Sequence, residues 1–353
     1  MTRALFLAER GRGRTTPNPI VGAVVVAPGG VVVGQGAHLV AGGPHAEVVA
    51  LDRAGDRARG ATLYCTLEPC CHHGRTGPCV ERIVAAGVTR VVVAAADPNP
   101  RVAGAGLGYL RAHGVEVLEG LCRDLASRLN APFFTWITTA RPFVLLKAVV
   151  SSDGFVGRPD RRVQLTGPRA DQFFQQQRAE VDAMAVGSGT VLVDDPLLTA
   201  RGAYRGRPLT RVLFDWRGRI PLTARVFSTL EAGPVIMVVS AEAAGADPSR
   251  VRDLERRGVV VRAERERRLR PVFDWLATRE IVSLLVEGGP GLHAACRDEG
   301  LIDRVQYVVT PHVLGEGVPS IAFTRPDVEG MRWPTVKGLG RDALIEFDVH
   351  GTH

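Results

Sequence analysis

The chain has 353 residues, of which 45% are hydrophobic and 23% charged, and its formal net charge is +7 at pH 7. This length and composition exclude a disordered chain and a disulfide-rich miniprotein, and they predict about two globular domains. No stretch approaches the roughly 18 consecutive apolar residues of a membrane-spanning helix, which excludes an integral membrane protein. The basic residues are scattered, and only Lys147 and Lys337 are lysines. Compositional bias toward arginine is the simplest interpretation, although single arginines also suit phosphate groups.

The first part of the chain alternates short β-branched runs with helical patterns, as α/β domains do. Residues 1–14 predict an amphipathic helix rather than a secretory signal, because the apolar stretch is short and Glu9 interrupts it. Pro28-Gly29-Gly30 predicts a hairpin. Strands are expected at 21–27, 31–34, 62–66 and 91–96, and helices at 45–54, 78–86, 105–113 and 123–130. The last strand is wholly apolar, which is typical of a central parallel strand.

A domain boundary is expected near Pro132–Pro142, where prolines and threonines separate two self-sufficient α/β patterns. Beyond it, strands are expected at 143–150, 183–186, 212–214, 235–239, 259–261, 281–286, 305–309 and 343–349. Helices are expected at 169–178, 248–257, 271–277 and from residue 292. The second pattern therefore predicts another α/β domain.

The strongest chemical signal combines a histidine, a glutamate and two cysteines. His45-Ala46-Glu47 stands at a predicted helix start, and Pro69-Cys70 and Cys79 follow. Hydrolytic deamination needs a metal with three protein ligands and an open position for water, and a carboxylate that moves protons to the leaving amine. His-x-Glu followed by Pro-Cys and a second Cys is a signature of zinc deaminases. The pattern predicts a Zn²⁺ site of His45, Cys70 and Cys79, with Glu47 as the catalytic proton shuttle.

The cysteine spacing leaves one alternative open. Eight residues separate Cys70 from Cys79, whereas the usual signature is Cys-x-x-Cys. A closed structural zinc site would use Cys70, Cys71 and Cys79 with His72 or His73, but it would leave the His-x-Glu motif unexplained. The other cysteines are expected to be buried and inert: Cys65, Cys122 and Cys296. Six cysteines in this length fit a reducing compartment, so a cytoplasmic location is predicted.

The motifs of residues 1–150 closely resemble, in order and spacing, those of the riboflavin-biosynthesis deaminase–reductase family. The long cysteine spacing is typical of this family. The motifs that support the resemblance are His45-Ala46-Glu47, Thr66-Leu67-Glu68-Pro69-Cys70, His72-His73-Gly74-Arg75-Thr76-Gly77-Pro78-Cys79, Thr16-Pro17-Asn18-Pro19-Ile20-Val21-Gly22-Ala23 and Asp97-Pro98-Asn99-Pro100. The chain departs from the family at Cys71, where serine is expected.

The resemblance implies that the first substrate is an amino-pyrimidine ribose phosphate whose 2-amino group is replaced by oxygen. It implies that six residues hold this substrate: Asn18, His38, His72, Arg75, Asp97 and Asn99. Arg75 has the fork geometry for a phosphate, and Asn18 and Asn99 offer a donor and an acceptor to a ring edge. The alternatives are a surface histidine at His38 and ordinary turn chemistry at Asp97 and Asn99.

Two glycine-rich turns mark the second part of the chain. Glu287-Gly288-Gly289-Pro290-Gly291 joins a predicted strand to a helix start, and Gly187-Ser188-Gly189-Thr190 opens a second glycine-rich turn that runs to Pro196. Backbone amides in such turns can receive a phosphate, although strand–helix turns often need glycine for other reasons. Lys147 on its apolar strand is either a site residue or an edge lysine that extends toward solvent.

The family resemblance continues through Lys147-Ala148-Val149-Val150-Ser151-Ser152-Asp153-Gly154 and implies a reductase domain with a dihydrofolate-reductase-like fold. It implies NADPH contacts at Val150, Thr190, Asp194, Gly289, Pro290, Gly291, Leu292, His293, Ala294 and Ala295. It implies sugar-phosphate contacts at Arg178, Leu198, Arg201 and Glu287. Two segments depart from the family: Arg162-Val163-Gln164-Leu165 replaces a Ser-x-Trp-Ile stretch, and Trp216 replaces a small polar residue.

Together these features predict an α/β chain with an N-terminal cytidine-deaminase-like α/β/α sandwich (1–140) and a C-terminal dihydrofolate-reductase-like α/β domain (141–353). The expected function is deamination of the diaminopyrimidine ribosylamino phosphate, followed by NADPH-dependent reduction of its ribosyl chain. The alternative is a zinc deaminase whose second domain binds a nucleotide or a partner without catalysis. We expect small phosphorylated pyrimidine substrates and neither a nucleic-acid nor a membrane partner, since no basic stripe with interleaved aromatics is present. Homo-oligomerisation is left open.

Overall fold

The computed structural model describes residues 1–71, 77–100, 102–203, 206–321 and 330–349. Contacts divide the chain into one compact unit over Met1–Ala140 and a second that begins at Arg141. The division falls in the stretch of prolines and threonines, but most of that stretch is a helix, Ala131–Thr139. Pro132 lies in the first turn of this helix, where its missing N–H breaks no hydrogen bond. No helix in the described ranges is long and apolar enough to cross a membrane.

The first unit contains a five-stranded sheet with helices on both faces. Its strands are β1 (Gly22–Val26), β2 (Val32–Ala37), β3 (Thr62–Leu67), β4 (Arg90–Ala95) and β5 (Glu116–Glu119), in the order β2-β1-β3-β4-β5. Its helices are α1 (Thr2–Ala8), α2 (Ala46–Ala54), α3 (Cys79–Ala85), α4 (Ala105–Ala112), α5 (Arg123–Leu129) and α6 (Ala131–Thr139), with 3₁₀ turns at Glu9–Gly11 and Gly55–Ala58. Helix α1 packs with Val24, whereas α2 packs with Ala23 and Val25 on the opposite face. The predicted α/β/α layering is confirmed.

Two features of this unit position its functional residues. Strands β3 and β4 run parallel, so the segments that follow them leave from the same edge of the sheet. Helix α2 lies directly against β2, and a Cβ atom on Gly36 would come within 2.2 Å of the Ala46 carbonyl oxygen. Glycine at position 36 therefore allows the first turn of α2 to approach the sheet.

The second unit is built on a nine-stranded sheet in the order β11-β10-β9-β8-β12-β6-β13-β16-β15. Its strands are β6 (Phe143–Ser151), β7 (Phe155–Gly157), β8 (Ala183–Gly187), β9 (Thr210–Phe214), β10 (Val235–Ser240), β11 (Val260–Glu264), β12 (Ser283–Glu287), β13 (Arg304–Thr310), β14 (Val318–Pro319), β15 (Arg332–Leu339) and β16 (Asp342–Asp348). Its helices are α7 (Pro168–Glu180), α8 (Ser188–Asp194), α9 (Ala241–Ala246), α10 (Pro248–Arg256), α11 (Arg270–Ala277) and α12 (Pro290–Asp298), with a 3₁₀ segment at Arg225–Ala232. Strands β7 and β14 form a separate two-stranded sheet.

The strands from β11 to β13 are all parallel, and β16 and β15 continue the sheet in antiparallel pairing. Strand β6 lies in the middle of this sheet between β12 and β13. The edge-lysine interpretation of Lys147 is therefore wrong, because β6 has a neighbour on each side. The carboxyl ends of β9, β8, β12 and β6 meet at one edge, which is where open α/β sheets bind ligands.

Candidate active sites

In the first unit, three metal-binding side chains converge from separate elements. His45 precedes α2, Cys70 follows β3, and Cys79 begins α3. Nδ1 of His45 lies 3.2 Å from Sγ of Cys79 and 3.4 Å from Sγ of Cys70, and all three ligand atoms lie within 4.8 Å of one another. Ligand atoms around tetrahedral zinc lie roughly 3.5 Å apart. The donor set and its spacing fit zinc.

The electrostatics of the two thiols also suit a divalent cation. The pKa of Cys70 is lowered, first because Cys79 donates a hydrogen bond to its thiolate and then because His45 does so. The pKa of Cys79 is raised by the same pairing with Cys70 and by burial. Two thiolates at this distance repel each other, and a bound cation removes that repulsion.

Glu47 lies in the first turn of α2, two residues after His45, and is 3% exposed. Its Oε2 has no hydrogen-bond partner in the described part of the chain. Burial raises the pKa of Glu47 to about 7, and the charge of His45 partly opposes the shift. A buried carboxyl group with a free oxygen beside three metal ligands has the features of a proton carrier.

Cys71 does not join this group, although it is adjacent to Cys70. Within the described ranges the cluster contains His45, Cys70 and Cys79. Cys71 is half-buried, and burial raises the pKa of its thiol. The alternative was a closed zinc site that also uses His72 or His73, and both of these histidines lie outside the described ranges. The three cysteines expected to be inert differ in burial: Cys65 and Cys296 are buried, but Cys122 is half-buried.

Asn18 and His38 lie beside the metal ligands. Nδ1 of His38 lies 3.0 Å from the Pro44 carbonyl oxygen, so it donates and leaves Nε2 to accept from Nδ2 of Asn18 at 3.2 Å. The ring of His38 meets that of His45 edge-on, with centroids 5.4 Å apart. Burial is the main cause that lowers the pKa of His38, which favours the neutral ring. His38 is 3% exposed, so its interpretation as a surface histidine is wrong.

The segment that carries Asn18 is held by Asn130, a residue that sequence reasoning missed. The Asn130 side chain accepts from the Ile20 N–H and donates to the Ile20 carbonyl, both at 2.9 Å. Asn130 is 2% exposed. Its side-chain amide bonds to the N–H and C=O of Ile20 as a neighbouring strand would, although the two residues are 110 positions apart in the sequence. No local pattern marks such a residue.

Asp97 and Asn99 follow β4, at the sheet edge from which Cys70 also leaves. Oδ1 of Asp97 accepts from the Asn99 N–H at 2.9 Å, and the Asn99 carbonyl accepts from Val102 and Ala103. The turn chemistry that was the alternative for both residues is therefore present. His72 and Arg75, the other predicted substrate residues, lie outside the described ranges.

A second missed residue, Glu68, organises the segment after β4. Its Oε2 accepts from the N–H groups of Asp97 and Gly104 at 3.2 and 3.1 Å. Its Oε1 accepts from those of Gly106 and Leu107 at 3.0 and 3.4 Å. A Cβ atom on Gly106 would come within 2.2 Å of the Pro69 carbonyl oxygen. The signal was present in the motif, since a glutamate two residues before a metal ligand has no helical or strand pattern to explain it.

The second unit contains a cavity of about 1140 Å³ at the carboxyl ends of its parallel strands. Single drug-sized ligands occupy about 300–1,000 Å³, so this volume is sufficient for a cofactor and a substrate together. Both glycine-rich turns line it, and Cβ atoms on Gly189, Gly289 and Gly291 would enter open space. The predicted residues on the wall are Thr190, Asp194, Gly289, Pro290, Gly291, Leu292, Ala295, Arg178, Leu198, Arg201 and Glu287. This open cradle at the ends of β8 and β12 fits a dinucleotide.

Three predicted cofactor residues lie away from the wall. Val150 is buried on β6, whereas Lys147, Ala148 and Val149 line the cavity. Gly291 and Ala295 share a face of α12 that lines the cavity, whereas His293 and Ala294 do not line it. His293 is 1% exposed, and burial and Lys147 lower its pKa to about 4.

An ion cluster forms the floor of the cavity. Arg178 donates to both carboxylate oxygens of Glu287, at 2.8 and 2.6 Å, and Nζ of Lys147 donates at 3.1 Å. Burial alone would raise the pKa of Glu287, but the charges of Arg178 and Lys147 outweigh it and hold that pKa far below its usual value. Burial lowers the pKa of Lys147 although Glu287 opposes this shift. Arg178 is thereby committed to Glu287 rather than free to bind a phosphate.

Comparison with known proteins gives matches over nearly the whole chain. The model of the cytidine and deoxycytidylate deaminase zinc-binding region matches residues 1–95, and that of the RibD C-terminal domain matches residues 142–342. The riboflavin biosynthesis protein RibD of Aquifex aeolicus is 40% identical over 351 residues, which cover 98% of this chain and 97% of that protein.

Two solved structures are also similar over nearly their whole length. The chain matches Acinetobacter baumannii RibD with a TM-score of 0.84 and 36% identity, over 98% of this chain and 97% of that one. It matches a diaminohydroxyphosphoribosylaminopyrimidine deaminase/5-amino-6-(5-phosphoribosylamino)uracil reductase of Thermotoga maritima with a TM-score of 0.85 and 34% identity, over 99% and 97%. The predicted fold class is confirmed.

Proposed function

This chain belongs to the RibD family of riboflavin biosynthesis proteins, and from that premise we propose the two reactions it catalyses. It is a bifunctional deaminase and reductase that uses Zn²⁺ and NADPH. Residues 1–140 hydrolyse the 2-amino group of 2,5-diamino-6-ribosylamino-4(3H)-pyrimidinone 5′-phosphate. Residues 141–353 then reduce the ribosyl chain and give 5-amino-6-ribitylaminouracil 5′-phosphate. The observation that supports this proposal best is the meeting of His45, Cys70 and Cys79 beside the unpartnered carboxyl oxygen of Glu47.

In the deaminase half, the protein side chains bind, orient and move protons. Zinc at His45, Cys70 and Cys79 supplies a Lewis acid that makes water acidic enough to attack near neutral pH. Glu47 accepts a proton from the attacking water on Oε2 and passes it to the leaving amine. His38, oriented by the Pro44 carbonyl, fixes the amide of Asn18 toward the pyrimidine ring. Four further residues complete the proposed substrate set: His72, Arg75, Asp97 and Asn99.

In the reductase half, NADPH supplies the hydride for reduction at C1′ of the sugar. The turns at Gly187–Thr190 and Gly288–Gly291 present backbone N–H groups to the pyrophosphate. Glu287, with Lys147 and Arg178 on its oxygens, forms a charged floor that orients the sugar. Arg201 is the proposed phosphate ligand, because within the described ranges its side chain has no hydrogen bond or ion pair, whereas Arg178 is bonded to Glu287. Leu198, at a φ of 55°, turns the chain so that Arg201 reaches the cavity.

The test is to incubate purified, zinc-loaded protein with the diaminopyrimidine substrate, with and without NADPH, and to read the product masses. Deamination without NADPH and both changes with NADPH are expected. Deamination alone in both samples would refute the reductase assignment and leave the non-catalytic second domain. If folded, zinc-loaded protein produces neither change, the proposed identity of the substrate is refuted.

We also propose that the enzyme works in the cytoplasm, since all six cysteines are free thiols and small phosphorylated metabolites are its substrates. Two of those thiols, Cys70 and Cys79, would coordinate the metal, and they can do so only while they stay reduced. Sedimentation of the purified chain would measure whether it assembles into a homo-oligomer.

A further inference from the structure

One end of the cavity in the second unit has no role in the two reactions described above. It is lined by Phe214 at the end of β9, by Trp216 after that strand, by Arg225 of the 3₁₀ segment, and by Arg267 and Leu269 between β11 and α11. Trp216 is half-buried and packs against Phe214, with ring centroids 5.8 Å apart. This end therefore combines an aromatic wall with two arginines.

These two arginines differ from others on the same cavity. Arg178 bonds to Glu287, and Arg158 bonds to Glu316 and to the Leu314 carbonyl. The side chains of Arg225 and Arg267 are exposed and form no hydrogen bond or ion pair within the ranges that the structure describes. Arg225 is bonded through its backbone: its N–H donates to Asp195, and its carbonyl oxygen accepts from the Ser228 hydroxyl. Unpaired guanidinium groups at a cavity are suited to a phosphate, which they bind through two parallel hydrogen bonds.

The strand order shows which part of a dinucleotide would reach this end. Trp216 follows β9, which lies two strand positions from β12 and three from β6. At about 4.8 Å per strand, Trp216 lies roughly 10 Å from the Gly288–Gly291 turn and roughly 14 Å from Lys147. With the pyrophosphate on the glycine turns, the nicotinamide must point toward Lys147 and the sugar substrate. The adenosine must then extend toward Trp216.

We propose that Trp216 stacks on the adenine and that Arg225 and Arg267 bind the ribose 2′-phosphate, so that this end of the cavity selects NADPH over NADH. The inference rests on the proposed function, which places the cofactor in this cavity. The 2′-phosphate is the one chemical difference between the two cofactors, and arginine is its usual ligand in dinucleotide sites. Purine rings stack on tryptophan independently of that phosphate.

The experiment measures binding by calorimetry, without turnover, for NADP⁺, NAD⁺, 2′,5′-ADP and 5′-AMP. The variants are Arg225→Gln, Arg267→Gln and the double variant. Arg265→Gln is the matched control, because Arg265 is exposed in the same loop but does not line the cavity. Each single variant should bind NADP⁺ and 2′,5′-ADP about tenfold more weakly, while binding of NAD⁺ and 5′-AMP and the behaviour of the control stay within about twofold.

Trp216→Leu provides a second, independent measurement. This variant should bind 5′-AMP and 2′,5′-ADP more weakly by the same factor, about tenfold, and neither nucleotide should quench its protein fluorescence. Quenching that survives in this variant would overturn the stacking role.

The outcomes separate this inference from the proposed function. If the unmodified protein binds neither NADP⁺ nor 2′,5′-ADP, the cofactor assignment itself fails. If it binds both and the double variant binds them equally well, the cofactor assignment stands and the role of the arginines is refuted. Equal losses for NADP⁺ and NAD⁺ would also refute it, because the arginines would not then recognise the phosphate.

Discussion

Replacing Glu68 with glutamine tests how the metal site is linked to the substrate segment. The carboxylate accepts four backbone N–H bonds, two on each oxygen, and is 4% exposed. An amide keeps one acceptor oxygen and turns an NH₂ group toward two N–H donors. Two bonds to a charged group are lost, each worth about 1.5–3 kcal/mol, so the free energy of unfolding of the first unit should fall by about 3–6 kcal/mol.

The functional effect should fall on binding rather than on chemistry. The segment from Asp97 to Leu107 loses its anchor, so KM for the diaminopyrimidine should rise about tenfold or more, while zinc content and kcat change much less. Glu81→Gln is the matched control, because Glu81 is exposed on α3, in the helix that Cys79 begins. Urea unfolding, metal analysis and initial rates measure the three quantities. An unchanged unfolding free energy with an unchanged KM would refute the reasoning.

Four further changes have definite expected outcomes. Glu47→Gln should lower deamination by about 10²–10⁴-fold with zinc content unchanged; near-normal rates would disprove its role as proton carrier. Cys71→Ser should retain zinc by metal analysis, and zinc loss would reassign the ligands. Arg201→Gln should slow NADPH oxidation with the deaminated intermediate by roughly ten- to a hundredfold while deamination continues, and equal losses in both assays would contradict separate phosphate sites. The pKa of Glu287 in the folded protein lies below the ordinary 4.5, so the unfolded state binds the proton first and the free energy of unfolding decreases as pH falls below 4.5. Glu287→Gln should weaken this loss of stability at acid pH, measured by urea unfolding of the second unit at several pH values. An unchanged pH dependence would exclude the Glu287 carboxylate as its cause.

The helices and strands with strong local patterns could be predicted from the sequence. The hairpin of β1 and β2, helix α2 and the apolar central strand β4 form at the expected residues within a few positions. Strands β5 and β15 escaped prediction because their side chains are mostly exposed, so neither has the alternating apolar pattern of a half-buried strand. Helix α6 escaped because Pro132 and its three threonines favour a linker.

Metal ligands could also be predicted, because zinc demands particular donor types in particular motifs. The residues that hold the functional segments and side chains in place could not be predicted. Asn130, Glu68 and the bonds from Lys147 to Glu287 join residues far apart in the chain, and their purpose is visible only where the fold brings them together.

The sequence by itself therefore determined the chemistry of this protein: which atoms can hold a metal, which can carry a proton, and which turns can receive a phosphate. Tertiary structure alone decided how those groups are used. It commits Arg178 to Glu287 and leaves Arg225 and Arg267 unpaired among the described residues, although all three are arginines. The physical reason is that the role of a charged side chain depends on the groups that lie beside it. In a parallel sheet, the order of the strands decides which groups lie side by side, and distance along the chain does not.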